Sequence, residues 1–82
     1  MKYSLKLEKI LSNTFRIPEE KITDHLSMKN LSNWDSLMHM NLVMSLEDAY
    51  SIELSMEEIM IMVDVATIRK IIIKKIGVRN GN

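Results

Sequence analysis

The sequence of 82 residues contains no cysteine, one proline and two glycines. Without cysteine the chain forms no disulfide, offers no thiolate to a metal and has no thiol nucleophile of its own. The start, MKYSLKLEKIL, carries charges at positions 6, 8 and 9 and does not read as a signal peptide. No run approaches the roughly 20 apolar residues of a membrane span. We therefore expect a cytoplasmic protein that does not insert into a membrane.

The chain is also short. A length of 82 residues allows one domain, which we place at residues 1–82 with an ordered core at about residues 3–77. A domain of this size buries a small core and leaves little room for an enclosed active site. Size alone therefore favours a binding, carrier or adaptor role over an enzyme, and we expect a monomer.

The charges are segregated although their sum is zero. Between Asn30 and Ile68 the chain has no lysine or arginine and seven acids, whereas the charged residues of the segment that follows are all basic. An acidic surface repels phosphates and attracts basic protein patches, so we predict no nucleic-acid partner. The basic last segment leaves open a membrane or nucleic-acid binder, but cations near a helix C-terminus also complement the helix dipole.

Helical periodicity dominates the first half of the chain. Ser4 to Phe15 reads as a helix capped by Ser4 that ends before Pro18, with one apolar face formed by Leu7, Ile10, Leu11 and Thr14. Residues 16–34 form a long connection, which must be functional or pack its own apolar side chains. Ser36 to Tyr50 is the clearest helix, with Asp35 as N-cap.

The second half predicts two further helices. Met56 to Asp64 has some strand-like alternation, but a lone strand would lack a pairing partner, so we predict a short helix capped by Ser55. The last helix runs from about Val65 to Ile76, with Asp64 as N-cap and Gly77 just past its end. The predicted fold is all-α, a small four-helix bundle with a short third helix.

The segment Asn33-Trp34-Asp35-Ser36-Leu37 stands out, because its serine opens an amphipathic helix after a long loop near the middle of the chain. The runs Leu46-Glu47-Asp48-Ala49-Tyr50 and Glu57-Glu58-Ile59 follow it. From Leu7 to Ile76 the sequence thus resembles the acyl carrier protein family. The tripeptide Asp-Ser-Leu alone would favour an unmodified serine at a helix start, since such serines are common.

The resemblance implies that a phosphopantetheinyl transferase attaches 4′-phosphopantetheine to Ser36 from coenzyme A. Asp35 would cap the helix and help to hold the transferase's magnesium ion, and Leu37 would contact partners or the arm. The implied protein is a carrier of acyl or aminoacyl thioesters, and it has no catalytic residues. Its further partners would be an acyl- or aminoacyl-activating ligase and downstream transferases or synthases.

The resemblance also makes the second helix the main recognition surface. The candidate contacts lie along it: Met38, Met40, Asn41, Met44, Glu47 and Asp48. The residues leave open that Met40 and Met44 belong to the core. They also leave open a rival function, an unmodified helical adaptor that docks a partner through this helix.

Several residues depart from the carriers of bacterial fatty acid synthesis, which tend to be strongly acidic along this helix. His39 and Asn41 stand in its first turns, and Trp34 occupies a position where a small residue is frequent. These departures suggest a specialised carrier. His25 and His39 lack further ligands at metal-like spacing, so we predict surface or loop histidines and no metal site. A hydrolase built on Ser36 and His39 would lack an oxyanion motif and an orienting acid.

Overall fold

A computed structural model describes the backbone of residues 6–80 and the side chains of residues 6–77. This part of the chain is a bundle of four α-helices, which confirms the predicted fold and its short third helix. Their bounds, with those of one 3-10 helix in the first connection, are α1 Leu7–Phe15, the 3-10 helix Glu19–Lys21, α2 Ser36–Tyr50, α3 Met56–Ile61 and α4 Val65–Asn80. No helix within the described residues is long and apolar enough to cross a bilayer.

Helix α1 begins later than predicted. It starts at Leu7, and Lys6 holds the N-cap position with extended backbone angles and no side-chain cap. The predicted cap, Ser4, lies outside the described residues. The helix ends as predicted before Pro18, because Arg16 turns into the left-handed region with φ 60° and donates its amide to the carbonyl of Ser12.

The three predicted caps of the later helices are confirmed. The Asp35 carboxylate accepts the amide of Met38 at 2.9 Å, and the Asp64 carboxylate accepts the amide of Thr67 at 2.7 Å. Ser55 forms a reciprocal capping box with Glu58 at the start of α3. Each cap satisfies an amide that has no acceptor within its own helix.

The prediction that Gly77 lies just past the last helix is wrong. Helix α4 continues through Gly77 to Asn80, and the glycine does not adopt a positive φ. A glycine ends a helix by entering the left-handed region, and here the helical hydrogen bonds continue instead.

The core lies between α1, α2 and α4 and includes side chains of the first connection. The connection contributes Ile22 and Trp34, both buried, and packs further half-buried apolar side chains against the helices. This confirms that the long segment packs its own hydrophobes. A short antiparallel bridge between Ser27 and Asp64 joins it to the start of α4. The buried set is Leu7, Ile10, Leu11, Phe15, Ile22, Trp34, Leu42, Val43, Leu46, Tyr50, Leu54, Met62, Val65, Ile68, Ile71 and Ile72.

Arg69 ties α4 to the first part of the chain. Its guanidinium lies 2.7 Å from the Glu8 carboxylate of α1 and 3.1 Å from the Asp24 carboxylate of the connection. The burial of Arg69 opposes its charge, but the hydrogen bonds to both carboxylates outweigh that effect and raise its pKa. One cation thus links three segments around the base of the bundle.

Candidate functional site

Ser36 is the first residue of α2 and is exposed. The residues before it fix its position. The Asn33 side chain donates to the carbonyl of Phe15 at 3.0 Å, and the Trp34 ring packs on that of Phe15 with 4.8 Å between centroids. Because Trp34 is buried, the chain enters α2 from an anchored point, and the serine hydroxyl stands at the edge of the bundle where a partner enzyme can reach it.

The two residues that flank Ser36 are both exposed, but one is charged and the other is apolar. Asp35 is exposed, and one of its carboxylate oxygens caps the helix through Met38. Leu37 is three-quarters exposed, although it is a large apolar side chain. The hydroxyl therefore lies between a carboxylate and an apolar surface group at the positive end of the helix dipole, which favours an anionic substituent.

The exposed row of α2 continues from Leu37 away from this end. It consists of side chains at helical spacing that share one face: Leu37, Met40, Asn41, Met44 and Asp48. The alternative that Met40 and Met44 are core residues is thereby excluded, since both are exposed large hydrophobic side chains. Adaptable thioether side chains on an exposed helix suit a contact surface for other proteins.

Two of the predicted partner contacts are turned toward the bundle. Met38 is half-buried and packs against the core. The Glu47 carboxylate accepts the backbone amide of Leu54 at 2.9 Å, so it braces the loop between α2 and α3. Their role in partner docking stays a prediction, but the structure provides each with a contact inside the protein.

The prediction that His39 is a surface histidine is wrong. Its imidazole is half-buried, with Nδ1 3.0 Å from Nε1 of Trp34 and Nε2 2.8 Å from the carbonyl oxygen of Ile59. An indole N–H is only a donor, so Nδ1 accepts, and the proton of the neutral ring lies on Nε2 and is donated to Ile59. His39 therefore joins the segment before Ser36 to α3.

The other histidine, His25, is exposed in the first connection, as predicted. Among the described residues no group of three or more His, Cys, Asp or Glu side chains could hold a metal ion. The ring of His39 is occupied on both nitrogens by Trp34 and Ile59, so it is not placed to act as a base toward Ser36.

Comparison with known proteins identifies the family of this domain. Residues 6–77 match the family described as the phosphopantetheine attachment site. The chain belongs to this family. Among solved structures, the holo acyl carrier protein from Geobacter metallireducens is 29% identical and has a TM-score of 0.83, and the alignment covers 93% of this chain and 87% of that one. A search of curated proteins found no significant match.

Membership confirms the predicted carrier class, the covalent 4′-phosphopantetheine and the resemblance to acyl carrier proteins. The protein is a carrier rather than an enzyme, and it interacts with a phosphopantetheinyl transferase and with biosynthetic enzymes. The start of α2 fits the cofactor, because an exposed hydroxyl at a helix N-terminus can be esterified by a phosphate group. The first-turn amides and the helix dipole then favour the negative charge of the phosphodiester.

Proposed function

We propose that Ser36 is the attachment residue and that this single domain carries acyl or aminoacyl groups as thioesters on its arm. The exposure of Ser36 at the first position of α2 carries the proposal. In the transfer, the Ser36 hydroxyl loses its proton and its oxygen bonds to the pantetheine-side phosphorus of coenzyme A, while the P–O bond of the diphosphate breaks and adenosine 3′,5′-bisphosphate leaves. The bound group supplies the thiol that this cysteine-free chain lacks.

The other serines and threonines whose hydrogen bonds the structure describes are engaged locally. The Ser55 hydroxyl accepts the amide of Glu58 at 3.1 Å, and the Ser27 hydroxyl accepts the amide of Lys29 at 3.2 Å. The Thr14 hydroxyl bonds the carbonyl of Ile10 within its own helix. Because these hydroxyls are engaged within the protein, Ser36 is the better candidate for modification by a transferase.

Intact mass spectrometry tests the proposal. The protein is incubated with coenzyme A, magnesium and a broad-specificity phosphopantetheinyl transferase, and we expect the wild type to gain one phosphopantetheine and the Ser36→Ala variant none. Ser32→Ala is the matched control, since Ser32 is also exposed and lies four residues earlier, and it should be modified like the wild type. A folded wild type that stays unmodified with two different transferases would favour the unmodified adaptor.

We further propose a specialised pathway rather than general fatty acid synthesis. Asp48 is the one acid on the exposed row of α2, because Glu47 is engaged with Leu54. A partner enzyme whose basic surface binds a strongly acidic helix would find few carboxylates to pair with on α2. The holo protein should therefore accept cargo faster from an adenylating ligase than from a fatty acid synthase malonyl transferase, which parallel loading assays would measure.

A further inference from the structure

A polar bridge joins α2 to α3 within one helical turn of Ser36. His39, three residues after the serine, has Nε2 2.8 Å from the carbonyl oxygen of Ile59 on α3 and Nδ1 3.0 Å from the indole nitrogen of Trp34. Three residues rise about 4.5 Å along a helix, so an arm on Ser36 would start close to the level at which these side chains connect the two helices. We call the junction of α2 and α3 at this bridge the seam.

The core side chains of α2 and of the end of α3 are closely packed. The exposed fractions are 2% for Trp34 and 0% for Leu42, Leu46 and Met62. Protein interiors are packed about as densely as organic crystals, so an alkyl chain that entered the core would have to displace such side chains. The seam is thus closed by hydrogen bonds near Ser36 and by packed apolar side chains in the core.

Opening the seam would leave polar groups unpaired. Within residues 6–77 every buried side-chain nitrogen and oxygen has a hydrogen-bond partner. An alkyl chain that entered at His39 would separate the imidazole from the Ile59 carbonyl or from the Trp34 indole, and hydrocarbon offers neither group a replacement. A long acyl chain gains more by leaving water with each methylene, whereas a short or polar cargo gains little. A closed seam therefore suits a cargo that stays in water.

We propose that the His39 bridge excludes long acyl chains from the bundle, and that the cargo of this carrier is a short acyl or an aminoacyl group that remains in solvent on the arm. The proposal rests on the carrier function proposed above and selects among its cargoes. His39 is the specificity-determining residue, because its two hydrogen bonds keep hydrocarbon out of the seam, and Trp34 positions its imidazole.

Acyl chains of two lengths test the proposal. A broad-specificity transferase loads Ser36 from acetyl- or octanoyl-coenzyme A, intact mass verifies the loading, and thermal unfolding is compared between the two loaded forms. A chain held inside the bundle would stabilise the folded state, because unfolding would return it to water. His39→Ala removes the bridge, and His39→Gln keeps an acceptor and a donor at this position. His25→Ala is the matched control, since it removes the exposed histidine of the first connection.

We expect the acetyl and octanoyl forms of the wild type, His39→Gln and His25→Ala to unfold at the same temperature. The octanoyl form of His39→Ala should unfold at least about 4 °C above its acetyl form. Each comparison is made within one variant, so a lower stability of His39→Ala itself does not affect it. A wild type that octanoyl stabilises by as much would overturn the proposal, and a folded His39→Ala without the shift would refute the role of His39.

NMR of the loaded wild type tests the cargo assignment without any variant. Nuclear Overhauser contacts between the terminal methyl of the octanoyl chain and Leu46 or Met62 would overturn the proposal, and we expect none. Loading with coenzyme A alone separates this result from the carrier function. A wild type that stays unmodified there refutes the carrier function, whereas one that is modified but shelters octanoyl refutes only the cargo assignment.

Discussion

The indole N–H of Trp34 donates a hydrogen bond of 3.0 Å to Nδ1 of His39, five residues further along the chain. The two ring planes lie within 26° of each other and their centroids are 6.2 Å apart, so the rings meet edge to edge through this hydrogen bond. This contact links the buried ring of Trp34, before Ser36, to the half-buried ring of His39, after it. The other nitrogen of His39 is hydrogen-bonded to the carbonyl of Ile59 on α3. The start of α2 is thus held on both sides of Ser36, the proposed attachment residue.

The Trp34→Phe variant tests this link. Phenylalanine keeps an aromatic ring near Phe15 but removes the N–H, which leaves Nδ1 of His39 without its donor. We expect the free energy of unfolding, measured by urea denaturation, to fall by about 1–3 kcal/mol, because a half-buried acceptor loses its partner and the core loses volume.

Nitrogen NMR shifts of the imidazole check the same contact in the wild type. We expect the neutral imidazole to carry its proton on Nε2 and not on Nδ1, since the indole can only donate. A ring protonated on Nδ1 would contradict the hydrogen bond to Trp34.

Two substitutions at Asp35 separate its structural role from its charge. Asparagine retains a carbonyl oxygen that can accept the amide of Met38, whereas alanine removes the cap. We expect Asp35→Ala to lower the free energy of unfolding by about 1 kcal/mol and Asp35→Asn to leave it nearly unchanged.

The transferase reaction then shows whether the carboxylate also matters for modification. If Asp35 helps to hold the magnesium ion, Asp35→Asn slows modification and raises the magnesium concentration needed for half-maximal rate, although the protein is as stable as wild type. Equal rates for Asp35→Asn and wild type would restrict Asp35 to helix capping.

Acid should destabilise the fold. The backbone amide of Glu8 and the Arg69 guanidinium lower the pKa of Glu8, and the backbone and hydroxyl of Thr67 lower that of Asp64. A carboxyl with a lowered pKa in the folded state stabilises the protein fully above its ordinary pKa and loses this contribution as pH falls through the folded value. We expect constant urea midpoints from pH 7 to about pH 5 and a steady decline below about pH 4.

The variant Asp64→Asn is the control for the acid prediction. It keeps an oxygen for the Thr67 amide but does not titrate, so its stability should fall less steeply below pH 4 than that of the wild type. A wild type whose midpoint stays constant down to pH 3 would contradict the hydrogen bonds assigned to these carboxylates.

Replacing Gly77 by alanine should stabilise the protein. Gly77 lies inside α4 without a positive φ, and a Cβ atom there would meet no atom within 4 Å apart from its chain neighbours and the backbone of its own helix. Alanine costs less conformational entropy in a helix, so we expect a gain of about 0.5–1 kcal/mol in thermal or urea unfolding. A loss of stability would show that the helix ends at this residue, as its glycine first suggested.

Local signals were sufficient for most helix boundaries. Asp35, Ser55 and Asp64 cap the helices that follow them, because the amide each one accepts lies only three residues further along. Such contacts can be predicted from a sequence, since they depend on residue type and on a short spacing along the chain. The prediction from Gly77 was wrong because glycine is common just past a helix end but does not require the helix to end there.

The apolar periodicity of the sequence by itself determined the helical bundle, and the family resemblance from Leu7 to Ile76 indicated the carrier class. Only the tertiary structure decided how the site is held. Asn33 reaches Phe15 across 18 residues, His39 reaches Ile59 across 20, and Arg69 reaches Glu8 across 61. Contacts of that span depend on how the helices pack, and packing is decided by the fit of all the buried side chains together rather than by any local run of residues.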